Sequence, residues 1–117
     1  MRGHVHSCDT LAECLGRDGE RVEVIGVYTV AEISPGQKGK TNVPGPVRLM
    51  LGTEPGPFLE PYWSTRSVRS PEEVARYAGK MVRVRGTFLR VQPPNPDPRA
   101  ASMGGPCLSD IEAISLA

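Results

Sequence analysis

Apolar and polar residues alternate along much of this chain. In Met81 to Val91, Val82 and Val84 fall on one side and Arg83 and Arg85 on the other, a period of two that marks a half-buried β-strand. Arg21 to Ile33, RVEVIGVYTVAEI, is rich in β-branched residues and predicts a long first strand. Gly26 interrupts this stretch and Gly86 the later one, each predicting a bulge or sharp bend. Val47 to Leu51 predicts a second strand, with Leu49 and Leu51 on one face and Arg48 and Met50 on the other. Phe58 to Ser67 predicts a third, although Pro61 cannot donate to a ladder and belongs at an edge or a break. Cys107 to Leu116 predicts a fifth, in which Asp110 and Glu112 blur the alternation.

Between the third strand and the strand from Met81 the period changes. Ser70 can cap a helix, Pro71 suits its first position, and Glu73 completes a capping box by reaching back to the Ser70 amide. Val74, Tyr77 and Ala78 share one face, and Gly79 ends the element. Thr10 and Glu13 form a second capping box before a helix of one to two turns ending at Gly16. Turns are expected at Asp18-Gly19 and over Thr53 to Pro57. The segments 34–46 and 92–106 read as long loops, the second extended by Pro93, Pro94, Pro96 and Pro98.

Composition narrows the class. A chain of 117 residues, 38% hydrophobic but 5% aromatic, with 13 Gly and 12 Pro, suits many short strands joined by turns and does not suit a helical bundle. The expectation is an all-β fold with short helices in a single domain over 1–117, with 1–9 as a flexible N-terminal tail. A net charge of +1 gives no global attraction to polyanions, so a nucleic-acid site requires local clustering of cations. No apolar run approaches a membrane span and the N-terminus lacks the apolar core of a secretory signal, so a cytoplasmic protein without membrane insertion is expected. The three cysteines, Cys8, Cys14 and Cys107, are an odd number and are read as reduced thiols.

The order of three strands, a helix and two strands, with glycine bends in strands one and four, resembles the OB-fold superfamily. So does the phrase Tyr77-Ala78-Gly79-Lys80-Met81-Val82-Arg83-Val84-Arg85-Gly86-Thr87 that leads into the fourth strand. The resemblance covers nearly the whole chain. It implies a five-stranded Greek-key barrel with the helix plugging one open end, and a binding face on strands two and three flanked by the loops 34–46 and 92–106.

Candidate chemistry follows the same frame. Lys38 and Lys40, among glycines and beside Thr41 and Asn42, suit a phosphate backbone, and Arg48 projects from the second strand. Tyr62 and Trp63 are adjacent, so alternation directs one inward and one outward, and the outward ring is the base-stacking platform. Arg66, Arg83 and Arg85 complete a candidate arginine patch, although Arg83 and Arg85 can instead pair across the sheet with Glu23. Phe58, Phe88, Tyr28 and Tyr77 accompany apolar periodicity and are assigned to the core.

Other chemistries fail on the residues. Ser34 to Thr41 departs from a phosphate-binding GxxxxGK[ST] loop at its first position, and Pro44-Gly45-Pro46 bars the helix that must follow. His4, His6, Cys8 and Cys14 lack the spacing of a zinc site. No nucleophile elbow, clustered carboxylates or activated Cys107 is evident. The first expectation is a non-catalytic module without cofactor or metal that binds single-stranded nucleic acid. The alternative is a protein-interaction module using the same surface, with an apolar patch involving Pro93, Pro94, Met103 or Trp63 and a symmetric homo-oligomer as one outcome.

Overall fold

The computed structural model describes residues 5–30, 46–61, 63–96 and 105–117. Its elements are β1 (His6–Cys8), α1 (Leu11–Leu15), β2 (Arg21–Val30), β3 (Val47–Leu51), β4 (Glu54–Leu59), α2 (Pro71–Tyr77), β5 (Met81–Leu89) and β6 (Cys107–Leu116), with one 3-10 turn at Thr65–Ser67. The strands form one sheet in the order β1-β2-β3-β4-β6-β5. Because β2 also pairs with β5, five strands from β2 to β6 close into a ring. The β4–β6 contact is parallel and short, limited to Phe58↔Cys107 and Leu59↔Leu108.

Alternation built this ring as the sequence suggested. Val22, Val24 and Tyr28 of β2, Val47 and Leu49 of β3, and Val82, Val84 and Phe88 of β5 are buried and face inward. In register, Val24 opposes Val84 and Tyr28 opposes Leu49. Removing such surfaces from water is the main favourable term for a sheet of this size. Gly26 stands where β2 changes neighbours, since β2 last pairs with β1 at Val24, opposite Cys8, and first pairs with β3 at Val27, opposite Met50. Near Gly86 the β5–β6 register shifts, as a bulge there requires, whereas the β2–β5 ladder runs through Gly26 without a shift.

Three expectations need correction. Residues 1–9 are not all tail, because His6–Cys8 pairs in parallel with Val22–Val24 and buries Cys8. The third strand is Glu54–Leu59 rather than Phe58–Ser67. It starts within the expected turn and stops where Glu60 takes φ 74 ahead of Pro61. Pro55 and Pro57 are tolerated because β4 meets β3 through a register shift between Arg48 and Met50, leaving fewer ladder amides to supply. The strand from Met81 ends at Leu89, and Val91 is exposed. The loop 34–46 lies outside the described residues except Pro46, as does most of 92–106.

Both helices start as their caps predict, but each capping box is reworked. Thr10 Oγ1 accepts from Glu13 N at 3.2 Å, while Glu13 Oε1 accepts from Asp9 N at 3.4 Å. Ser70 Oγ accepts from Glu73 N at 3.1 Å, yet the Glu73 carboxylate turns to Arg69 and Tyr28. Ser70→Ala should therefore lower stability by about 1 kcal/mol in urea unfolding, the ordinary value of one N-cap. Tyr77 is buried from α2 and its ring lies 5.9 Å from that of Tyr28. Ala78 stays exposed.

Candidate binding surface

Among the described residues, Arg83 and Arg85 meet on the outside of the ring, while Arg48 and Arg66 lie apart from them. Glu23 opposes Arg85 across β2 and β5. Its carboxylate lies 3.5 Å from Arg83 Nε and 3.4 Å from Arg85 Nη2, and it also accepts from Ser7 Oγ at 3.2 Å. Both arginines thus share one carboxylate, as the alternation allowed. Arg48 lies elsewhere: it opposes Thr29 on β2 whereas Arg83 opposes Ile25, an offset of about 13 Å along the strand plus two strand spacings.

Arg48 is held in place. Its Nε and Nη2 donate to the Gly56 carbonyl at 3.2 and 3.1 Å, and its guanidinium lies 4.2 Å over the Phe58 ring. Burial lowers its pKa. Phe58, assigned to the core from sequence, is buried at 7% exposure, but beneath the Arg48 guanidinium and apart from the main apolar cluster. Trp63 belongs to a turn rather than a strand, so alternation says nothing about its ring. Its indole N–H donates to the Pro93 carbonyl at 2.8 Å, tying this turn to the second long loop. Arg66 is exposed and lies 3.7 Å from Asp110. Lys38, Lys40, Tyr62 and Met103 lie outside the described residues.

Other arginines are also matched by acids. Arg17 pairs with Glu20, Arg21 with Glu112, and Arg69 with Glu73. Six of the nine described arginines thus lie against a carboxylate, a pattern that weakens the phosphate attraction a nucleic-acid groove needs.

Between these pairs runs an apolar row that the strand-by-strand reading missed. Val27 is opposed by Met50 on β3 and by Met81 on β5. Directly opposed residues share a face, so the three lie side by side outside the ring, with Ile25 two residues along β2. Met81 is 50% exposed. The signal was present in the alternation, but joining three strands required their register.

A second site is the Tyr28–Glu73–Arg69 network. Tyr28 Oη donates to Glu73 Oε2 at 2.7 Å, and Arg69 donates to the same carboxylate at 2.7 and 3.0 Å. Burial alone would raise the Glu73 pKa, but these donors and the arginine charge outweigh it and hold the carboxyl below its ordinary value. Burial, then the Glu73 contact, pushes the Tyr28 hydroxyl up. The hydrogen bonds with Glu73 raise Arg69. Arg69 Nη1 also donates to the Arg66 carbonyl at 3.0 Å, and the network as a whole suits anchoring α2 to β2.

The thiols are unsuited to nucleophilic work. Cys8 of β1 and Cys14 of α1 are both buried free thiols, and burial raises both, Cys14 to about 12. Burial pushes Cys107 up to about 11. His6 Nε2 lies 3.5 Å from Glu13, and no group of three or more metal-binding side chains occurs among the described residues. Among them, too, no helix is long and apolar enough to cross a membrane. Comparison of the chain with protein-family models, with curated proteins and with solved structures finds no match.

Proposed function

We propose that the five-stranded ring is an OB-like Greek-key barrel acting as a non-catalytic protein-interaction module, with the Ile25, Val27, Met50 and Met81 row as its contact surface. The ring order, the parallel closure between β4 and β6, and a helix between them support the barrel. The observation that carries the function is the outer surface itself, where an apolar row spans three strands while the neighbouring Arg83 and Arg85 share the Glu23 carboxylate. Such a row favours a partner that presents apolar side chains, since burying them gains about 25 cal/mol per Å² of surface removed from water. The raised thiol pKa values favour binding over nucleophilic chemistry.

Nucleic-acid binding is the competing reading, and it draws on Arg48 over Phe58 and, separately, on Trp63. Fluorescence anisotropy with labelled single-stranded DNA and RNA separates the two. The protein-binding reading expects no association even at low salt, where phosphate contacts are strongest. Salt-sensitive binding weakened by Trp63→Ala would overturn it. Peptides selected from a random library should conversely lose binding in calorimetry when Met81→Asp places a charge in the row.

A further inference from the structure

Among the described residues, the final strand leaves much of one edge without a neighbouring strand, its groups there meeting only side chains: Ile111 N donates to Glu60 Oε2 at 3.1 Å, and the Ile114 carbonyl keeps one of its two lone pairs beside the bond from Tyr77. β6 pairs with β5 from Cys107 to Leu116, but its other edge meets β4 only at Cys107 and Leu108. Among the described residues, Ser109 to Leu116 therefore have a strand neighbour on one side only. Their orientation follows from one bond: Ala117 N donates to the Met81 carbonyl at 3.0 Å, which makes Leu116 and Val82 a non-hydrogen-bonded pair. By the same alternation Ile114 and Leu116 direct their backbone groups away from β5. Consistently, the Ile114 carbonyl accepts from the Tyr77 hydroxyl of α2 at 3.2 Å.

Edge strands ordinarily carry a charge, a proline or a bulge that blocks unwanted pairing. The first half of β6 has such features, with an irregular register, Asp110 at φ 51 and Glu112. Ala113 to Ala117 has none of them, and Leu116 is 56% exposed. Beside this edge lies a cleft of about 490 Å³ lined by Ser70, Glu72, Glu73, Arg76, Tyr77 and Ile114. Glu73 is committed to Arg69 and Tyr28. Glu72 and Arg76 are exposed, four residues apart on α2, and neither has an ion-pair partner among the described residues.

We propose that a second copy of this chain occupies the edge and cleft. The two copies meet about a two-fold axis, with β6 edges antiparallel and centred on Ile114, and Glu72 faces Arg76 of the partner subunit. Two-fold symmetry makes the surface its own complement. Ala113 then opposes Ser115 of the partner subunit, Glu112 opposes Leu116 of the partner subunit, and no like charges meet. The acid–base order along α2 is reversed in the second copy, so both unpaired charges are matched at once. The inference rests on the protein-binding reading for its class of partner, but it uses a different face from the Met50–Val27–Met81 row.

Sedimentation velocity over a concentration series tests it. The protein should approach twice its 12.6 kDa protomer mass as concentration rises. Arg76→Glu places like charges opposite one another and should weaken association about tenfold or more, whereas Glu72→Arg with Arg76→Glu restores the order and the association. Leu116→Glu, at an exposed position, places a carboxylate opposite Glu112 of the partner subunit and should abolish association while circular dichroism remains unchanged. A protein that stays monomeric throughout overturns the proposal. So does a dimer indifferent to all these variants, which places protein binding on another face. Failure of the protein-binding reading itself shows separately, as salt-sensitive oligonucleotide binding.

Discussion

Glu73→Ala should lower the unfolding free energy by about 3 kcal/mol, among the largest effects of any substitution on α2. Its carboxylate receives Tyr28 from β2 and two bonds from Arg69, and the Arg69 and Glu73 side chains are only 15% and 18% exposed. Removing the acid leaves a largely buried guanidinium and hydroxyl without their acceptor, a change that costs about 3 to 5 kcal/mol at fully buried pairs. The residual exposure of this pair sets the expectation at the lower end. Tyr28→Phe removes only one donor and should cost about 1 kcal/mol. Urea unfolding followed by circular dichroism distinguishes these values, and a loss below 1 kcal/mol for Glu73→Ala would show that solvent already satisfies Arg69.

The same acid gives the fold a signed pH dependence. Its folded pKa is depressed below the ordinary value, so its ionised form contributes stability above that value and loses it as pH falls through the folded pKa. The stability gap between the natural protein and Glu73→Gln should be full at neutral pH and shrink below about pH 4. A gap that is constant from neutral to acid pH would remove the charge from the explanation and leave only shape.

Which of these features the sequence revealed depends on how local each one is. Period-two alternation placed Arg83 and Arg85 on one face, and Glu23 met them because β2 and β5 pair without a shift there. The caps of both helices were legible because the Ser70 and Thr10 bonds span three residues. The other half of the Ser70 box was not, because it was decided in part by distant chain: Tyr28 lies 45 residues from the Glu73 it binds, whereas Glu13 turned only to Asp9, four residues away. Prolines misled the reading of β4, where Pro55 and Pro57 suggested a turn although the irregular ladder spares their missing amides. With that strand displaced, Trp63 lost its assigned alternation and became a tether to Pro93. The candidate site moved for the same reason. A cation pattern along one strand says nothing of the acids opposite it, and the Met50–Val27–Met81 row exists only in the register of three strands.

Gly26→Ala should destabilise the protein by about 3 kcal/mol and disturb that row as well. A Cβ built at Gly26 would stand 2.7 Å from the Met50 carbonyl oxygen, 2.7 Å from Leu51 Cδ2 and 3.2 Å from Leu49 Cβ. The leucine terminus can rotate, but the Met50 oxygen belongs to a strand fixed in register by Val27↔Met50. Relief therefore requires β2 and β3 to separate, and overpacking of this kind costs about 1 to 3 kcal/mol. Restricting the unfolded chain returns only about 0.4 to 1 kcal/mol. Gly79 provides the contrast: its φ is 80 but nothing lies within 4 Å of an added Cβ, so Gly79→Ala should cost only about 1 kcal/mol from backbone strain. Thermal unfolding of the two variants would rank them, and equal losses would mean that the β2–β3 contact yields more easily than its geometry implies. Because Gly26 adjoins Val27, separating these strands also parts Val27 from Met50. Peptide affinity at the row should then fall for Gly26→Ala under conditions where it remains folded, while Gly79→Ala leaves that affinity intact.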